Sequence, residues 1–163
     1  MNGVKHILRL AIAFFLQIFL VNNLQLLGVC QPFIYIVFLL MLPKTMPYAV
    51  DLLIGAAVGL AMDLFCDSLG VHMAACIFIM YLRRKMICNL ILDHDRLHGE
   101  ISSHTIGMQA FLKYAILLII FMHVVVFFLS AWSFAHLGMT LLRIVVSSIV
   151  CALLVIGYDL TRK

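Results

Sequence analysis

Asp51, Gly55, Gly59 and Asp63 follow one another at intervals of four residues within an apolar run of the sequence. On a helix this spacing places all four on one slowly drifting face. The two glycines would leave a smooth groove on that face, where a second helix backbone can approach closely. Packing within the chain is the ordinary use of such a groove. Docking of a partner helix is the alternative.

Asp63 is the first charged side chain whose position needs an explanation. A carboxylate within a membrane-spanning helix costs about 2.5–3.5 kcal/mol, so it is expected to have a partner. Asp63 lies near the end of its apolar run, and Arg143 lies near the start of the last apolar run. We therefore predict an intramembrane ion pair between Asp63 and Arg143. Proton transfer through Asp63 is less favoured, because only Asp51 is available to extend a relay.

A pair of histidines, His94 and His98, is spaced so that both could share a helix face and bind zinc. The ordinary explanation is a solvated polar loop, and we adopt it because no third ordered ligand is implied. The sequence also lacks an H-E-x-x-H motif and any acid–base pair with catalytic spacing. We therefore predict no metal site, no cofactor and no catalytic residues. The chain is expected not to be an enzyme.

The elements that position these residues follow from composition. Of the 163 residues, 66% are hydrophobic and 11% are charged, whereas soluble domains have roughly 45–50% apolar and about 25% charged residues. The mean hydropathy of +1.18 points the same way. The net charge of +4 is not organised into basic clusters interleaved with exposed aromatic residues, so nucleic-acid binding is not expected. The composition predicts one domain in a lipid bilayer.

Six apolar runs are candidate membrane spans, since a spanning helix needs about 20 mainly apolar residues. The run between Pro32 and Pro43 is too short to cross as a straight isolated helix unless it borrows from Leu24–Cys30 or the bilayer thins locally. The fold class predicted is an all-α integral membrane protein with a polar cytoplasmic loop at 93–109. The predicted spans are 7–21, 32–42, 48–65, 71–92, 111–129 and 137–158.

The basic residues predict how these spans are oriented. With six spans and a cytoplasmic N-terminus, ten of the 11 Lys and Arg residues fall on the cytoplasmic side, and the outer loops hold none. This asymmetry follows the positive-inside rule and predicts that both termini are cytoplasmic. Arg83, Arg84 and Lys85 then form a cytoplasmic basic patch. Orientation is its ordinary role, and contact with a filament or with anionic headgroups is the alternative.

An ordered set of motifs runs from residue 31 to residue 82. It consists of Gln31-Pro32 before an apolar helix, Pro43, the run Gly59-Leu-Ala-Met-Asp63-Leu64-Phe65, Leu69-Gly70, and an apolar helix ending Tyr81-Leu82. This set resembles the rod-shape-determining protein MreD family. It covers about a third of the chain, and the remainder agrees in hydropathy and length. The long polar loop at 93–109 departs from the family pattern.

The resemblance implies a fold similar to the substrate-binding subunits of energy-coupling-factor vitamin transporters. It implies a non-enzymatic scaffold in the bacterial cytoplasmic membrane, within the elongation machinery that directs lateral peptidoglycan synthesis. The partners implied are a bitopic MreC-like protein, MreB filaments, RodA and the elongation penicillin-binding protein. The Gly55 and Gly59 groove is the docking face that we expect for the MreC-like helix.

The competing interpretation is a vitamin-binding subunit of a membrane transporter. Such subunits usually carry small residues spaced by four in their first helix, a spacing that the 7–21 span lacks. They also need polar and aromatic side chains around an outward-facing pocket. The sequence offers Trp132, Tyr35 and a few Ser and Asn residues on that side. The scaffold interpretation is therefore favoured.

Overall fold

The computed structural model describes residues 12, 14–17, 30–90, 99–131 and 137–161. Within these ranges the chain forms helices and no strand, so the predicted all-α class is confirmed. In chain order the helices are α1 (Ile36–Met41), α2 (Tyr48–Cys66), α3 (Val71–Leu90), α4 (Ser103–Ile106), α5 (Met108–Ala131) and α6 (Leu137–Thr161).

The four long helices begin and end within three residues of the spans predicted at 48–65, 71–92, 111–129 and 137–158. Three of them, α2, α5 and α6, are long and apolar enough to cross a membrane. The α3 helix has comparable length but carries three consecutive basic residues. The predicted 7–21 span and the first part of the 93–109 loop lie mostly outside the described residues. The count of six spans therefore stays a prediction.

The α2 and α3 helices form a hairpin, and the helices that follow in the chain pack beside it. The α3 helix packs on α5, and α5 packs on α6, with the short α4 helix against α5. Pro47 precedes α2 in an extended conformation, where its ring suits a helix start. Asp67 ends α2 in the left-handed region, with φ 51°, and its backbone N–H bonds to the carbonyl of Asp63. A short turn through Gly70 then reverses the chain.

The α1 segment corrects the prediction of a helix at 32–42. Only six residues are helical, which span about 9 Å at 1.5 Å per residue, against a hydrocarbon thickness of about 30 Å. The surrounding helices bury nearly the whole segment. Non-helical backbone at membrane depth is tolerated only where protein groups satisfy it. Its largest fully buried side chains are Phe33, Tyr35, Ile36, Leu39 and Leu40.

Side chains from distant parts of the chain satisfy the backbone that leads into α1. The Gln17 side-chain amide donates to the carbonyl of Pro32 (3.2 Å) and accepts from the N–H of Ile34 (2.7 Å). The backbone N–H of Gln31 donates to Ser147 Oγ on α6 at 2.9 Å. Because these bonds come from elsewhere, the segment can stay extended without leaving its polar groups unpaired in an apolar interior.

Candidate functional site

Asp63 caps the start of α3 instead of pairing with a positive charge. Its carboxylate accepts the backbone N–H groups of His72 (2.9 Å) and Met73 (2.8 Å), and the hydroxyl of Ser68 donates to it at 2.5 Å. The first turn of a helix leaves its N–H groups without partners inside the helix, and its dipole favours a negative charge there. Asp63 therefore fixes the end of α2 to the start of α3.

The predicted Asp63–Arg143 ion pair does not form, and this is a correction. Arg143 is exposed on α6, and no ion pair joins it to Asp63 within the described ranges. The α2 helix packs mainly on α3, whereas α6 packs mainly on α5, so the two residues lie on helices that are not close packing neighbours. Asp63 is satisfied by backbone N–H groups, a type of partner that a search for opposite charges overlooks.

The groove predicted at Gly55 and Gly59 is filled by α3. A Cβ atom at Gly59 would lie 2.4 Å from Met73 Cα and 2.6 Å from the His72 carbonyl oxygen. At Gly55 it would lie 2.7 Å from Met80 Cγ. The glycines thus serve packing within the chain, as small residues often do between membrane helices. The expectation that a partner helix docks in this groove is wrong, because α3 already occupies it.

A second charged centre, which we call the inner cluster, joins Asp51, Arg83, Arg84 and Tyr114. Asp51 Oδ2 lies 3.4 Å from Arg83 Nη1 and 3.3 Å from Arg84 Nη1. The side chains of Asp51 and Arg83 are fully buried, and that of Arg84 is 32% exposed. A buried guanidinium and a buried carboxylate each need the other, since removing one leaves an uncompensated charge.

The inner cluster also holds the C-terminal end of α1. Arg83 donates through Nε to the hydroxyl of Tyr114 (3.1 Å) and through Nη2 to the carbonyl of Leu42. Tyr114 in turn donates to the carbonyl of Leu40 at 2.8 Å. The last carbonyls of a helix have no partners inside it, so these two side chains complete α1.

The predicted basic patch is therefore divided by the fold, which is a further correction. Arg83 is buried in the inner cluster and does not face the cytoplasm. Arg84 is bonded to Asp51 and to the carbonyl of Met46 (2.8 Å). Lys85 alone is exposed, with Nζ 4.6 Å from the ring centroid of Tyr81. The physical reason is helical periodicity, because three successive residues point in three directions.

Counting along the hairpin would have found the inner cluster. Since the loop between α2 and α3 is short, the helices run antiparallel with a fixed register. Gly59 faces Met73 across the interface. Asp51 lies eight residues further from the loop on α2, and Arg83 lies ten residues further on α3, so the same hairpin brings the two side chains together. The sequence therefore contained the signal, although opposite charges at similar predicted depth suggested a different pair.

Aromatic and histidine side chains form an outer cluster, defined by Phe33, Tyr35, His72 and His123. The hydroxyl of Tyr35 lies 2.8 Å from His72 Nδ1. Phe33 stacks on His123 with ring centroids 4.8 Å apart, and meets His72 edge-on at 5.3 Å. Sequence reasoning does not select His72. For His123, which lies within the predicted 111–129 span, it predicts a hydrogen bond to a neighbouring helix.

One ring nitrogen of His123 has no hydrogen-bond partner among the described residues. Its Nδ1 lies 2.8 Å from the carbonyl of Ile119, which can only accept, so Nδ1 carries the hydrogen. The bond runs within α5, not to a neighbouring helix. Nε2 is then a bare acceptor, and it is buried without a hydrogen-bond partner among the described residues. Such an atom could accept a hydrogen bond from a small polar molecule.

The predicted 93–109 loop makes defined hydrogen bonds over the part that the structure describes. The backbone N–H of Ser103 donates to the carboxylate of Asp159 on α6, at 3.2 and 3.3 Å to its two oxygens. The N–H of Ser102 donates to Thr105 Oγ1 at 2.9 Å. No group of three metal-binding side chains occurs in the described ranges. His94 and His98 lie outside them.

Comparisons with protein-family models, with characterised proteins and with solved structures find no match to this chain.

Proposed function

We propose that this chain is a non-enzymatic membrane scaffold of the bacterial elongation machinery, similar in role to MreD. The proposal rests on the structural roles of the motif residues. Gly59 seats α3 against α2, and Asp63 caps α3. The motif thus coincides with a closely packed structural unit built from α2 and α3. Motif residues that hold helices together favour a scaffold over a reaction centre.

The charged residues support the same proposal. Asp51, Arg83 and Asp63 are buried, and each makes contacts that join one helix to another. A buried charge with no partner would be costly, so contacts of this kind hold the helices to one another. The chain therefore supplies fixed helix faces on which other membrane proteins can assemble.

The proposal includes a topology with six spans and with both termini in the cytoplasm of the bacterial cell. The bond between Ser103 and Asp159 supports part of it, because it brings the segment before α5 to the end of α6. The two helices therefore form an antiparallel pair whose open ends share one side of the membrane. Thiol labelling of single cysteines at Lys113 and Ser130 tests this, since the two sites should label from opposite sides.

The proposed partners are an MreC-like bitopic protein, MreB, RodA and the elongation penicillin-binding protein. Because α3 fills the glycine groove, the MreC-like helix is expected on an outer face of the bundle. Of the three helices that are apolar enough to cross a membrane, α6 is the least buried and exposes an apolar face. Its exposed side chains include Leu142, Val145, Ile149 and Leu153.

Depletion of the chain in a rod-shaped bacterium that encodes it tests the proposal. Cells should become round, and the wild-type gene should restore rods. Unchanged cell shape on depletion would contradict the scaffold proposal.

A bulky substitution tests the α6 face as the docking surface. Ile149→Trp is the informative variant, because the Ile149 side chain is 56% exposed on α6 and a larger ring there would obstruct a docked helix. Leu53→Trp is the matched control, since Leu53 is an exposed apolar residue on α2. Loss of the MreC-like partner with Ile149→Trp alone would support the α6 face. Equal retention of the partner by both variants would place the interface elsewhere.

The outer cluster favours a second candidate, a small-molecule binding subunit of a membrane transporter. Its supporting observation is the buried, unpartnered Nε2 of His123 beside stacked aromatic rings. Depletion that leaves cell shape unchanged but creates a requirement for a vitamin would favour this candidate. His123→Phe should then abolish uptake, while Asp51→Asn would reduce only the amount of folded protein.

A further inference from the structure

Four residues at one end of the α2–α3 hairpin form a surface that we call the interfacial patch: Tyr48, Tyr81, Arg84 and Lys85. Tyr48 and Tyr81 are 41% and 39% exposed, and Lys85 is exposed. Tyr48 lies about one turn before Asp51 on α2, and Lys85 directly follows Arg83 and Arg84, the partners of Asp51, on α3. The Lys85 ammonium sits over the Tyr81 ring, at 4.6 Å from its centroid.

The positive charge at this end of the hairpin exceeds the negative charge of the nearby carboxylate, Asp51. Asp51 is the one carboxylate that pairs with Arg83 and Arg84 among the described residues. Lys85 makes its contact with a neutral ring, and no carboxylate in the described ranges pairs with it. Two cations thus share one carboxylate and Lys85 has none, so net positive charge remains on the side where Arg84 and Lys85 reach the surface. An anion is the chemical complement of this surface.

Apolar side chains continue the patch along the hairpin. Phe78 lies one turn before Tyr81 on α3 and is 41% exposed. Val50 and Leu53 are exposed on the adjacent part of α2, a helix apolar enough to cross a membrane. Tyrosine rings collect where the hydrocarbon meets the headgroups, and basic side chains extend outward from there. Along the hairpin the order is therefore cations, then tyrosine rings, then apolar side chains. A phospholipid presents the matching order of phosphate, interfacial region and acyl chain.

We infer that the interfacial patch binds an anionic phospholipid, with its phosphate against Arg84 and Lys85 and an acyl chain along Phe78. An acidic peptide segment would satisfy the cations but would not use the exposed apolar side chains beneath them. The assignment does not depend on the scaffold proposal, nor on which side of the membrane this end of the hairpin faces.

Native mass spectrometry of the full chain tests the assignment, with phosphatidylglycerol and phosphatidylcholine of the same acyl composition as probes. The wild-type chain should retain phosphatidylglycerol preferentially. Lys85→Gln should reduce that preference about fivefold, because a basic residue near the surface contributes about 1 kcal/mol. Tyr81→Leu should also reduce it, and Lys85→Arg should preserve it. These side chains are exposed, so all three variants should fold normally.

Lys113→Gln is the matched control, because Lys113 is an exposed lysine at the start of α5. Its lipid preference should stay within about twofold of wild type, as expected for a charge outside the patch. An equal loss in Lys113→Gln would overturn the assignment in favour of a net-charge effect. A wild-type chain without preference would also overturn it. So would binding of a decameric glutamate peptide that Lys85→Gln abolishes while lipid retention is unchanged.

Discussion

The two buried acids of α2 end in different environments, although they lie three turns apart on the same face of one helix. Asp51 is held by two guanidinium groups, whereas Asp63 is held by two backbone N–H groups and a hydroxyl. The comparison shows that a carboxylate in an apolar interior does not need an opposite charge. The exposed N–H groups of a helix start are sufficient, because the helix dipole favours an anion there.

The largest effect is expected at Asp51. Asp51→Ala leaves the fully buried guanidinium of Arg83 without its carboxylate, which should cost about 3–5 kcal/mol in the free energy of unfolding. Reversible unfolding of the purified chain in detergent measures this cost. The double variant Asp51→Leu with Arg83→Met is the control and should recover most of the stability, since it leaves no fully buried charge unpaired and Arg84 is partly exposed. A cost below about 1 kcal/mol for Asp51→Ala would contradict the role of the inner cluster.

A smaller effect is expected at the glycines between the two acids. The added Cβ of Gly59→Ala meets the backbone of Met73 at 2.4 Å, and backbone cannot move aside without shifting α3. We expect a loss of about 1–3 kcal/mol in unfolding free energy, the usual range for overpacking. Gly55→Ala is the matched variant and should cost less, because its nearest contact is the flexible side chain of Met80. Equal losses would show that the helices are not packed in this register.

Asp63→Ala should be milder than Asp51→Ala. It removes a cap from α3 without stranding a buried charge, which corresponds to about 0.5–2 kcal/mol of stability. Asp63→Asn keeps one acceptor oxygen and should fall between the wild type and Asp63→Ala. Thermal unfolding in detergent ranks the three proteins. If Asp63→Ala costs as much as Asp51→Ala, the distinction between the two acids is wrong.

The smallest effect is expected at Arg143. Its side chain is exposed and has no ion pair with Asp63, so Arg143→Gln should change the unfolding free energy by no more than about 0.5 kcal/mol. A double-mutant cycle with Asp63→Ala should give a coupling energy below about 0.5 kcal/mol. A coupling well above that value would restore the ion pair that the sequence alone suggested.

The long helices could be predicted because each depends on a local property, the length of an apolar run. The α1 segment could not, because its backbone is satisfied by residues as distant as Gln17, Tyr114 and Ser147. The contacts of the candidate sites fall into the same two groups, those that a local pattern predicts and those that it does not. The pairing of Asp51 with Arg83 follows from hairpin register. The stacking of Phe33 on His123 joins residues that no local pattern connects.

The sequence by itself determined that this is an apolar, all-helical chain, where its long helices begin and end, and that few charges lie within them. These properties follow from composition and periodicity, which act over one or two turns. The tertiary structure decided which of its possible partners each charge meets, because α3 packs on α2 with Gly59 against Met73. That single register places Asp63 at the start of α3 and brings Asp51 to Arg83, and leaves Arg143 outside both contacts.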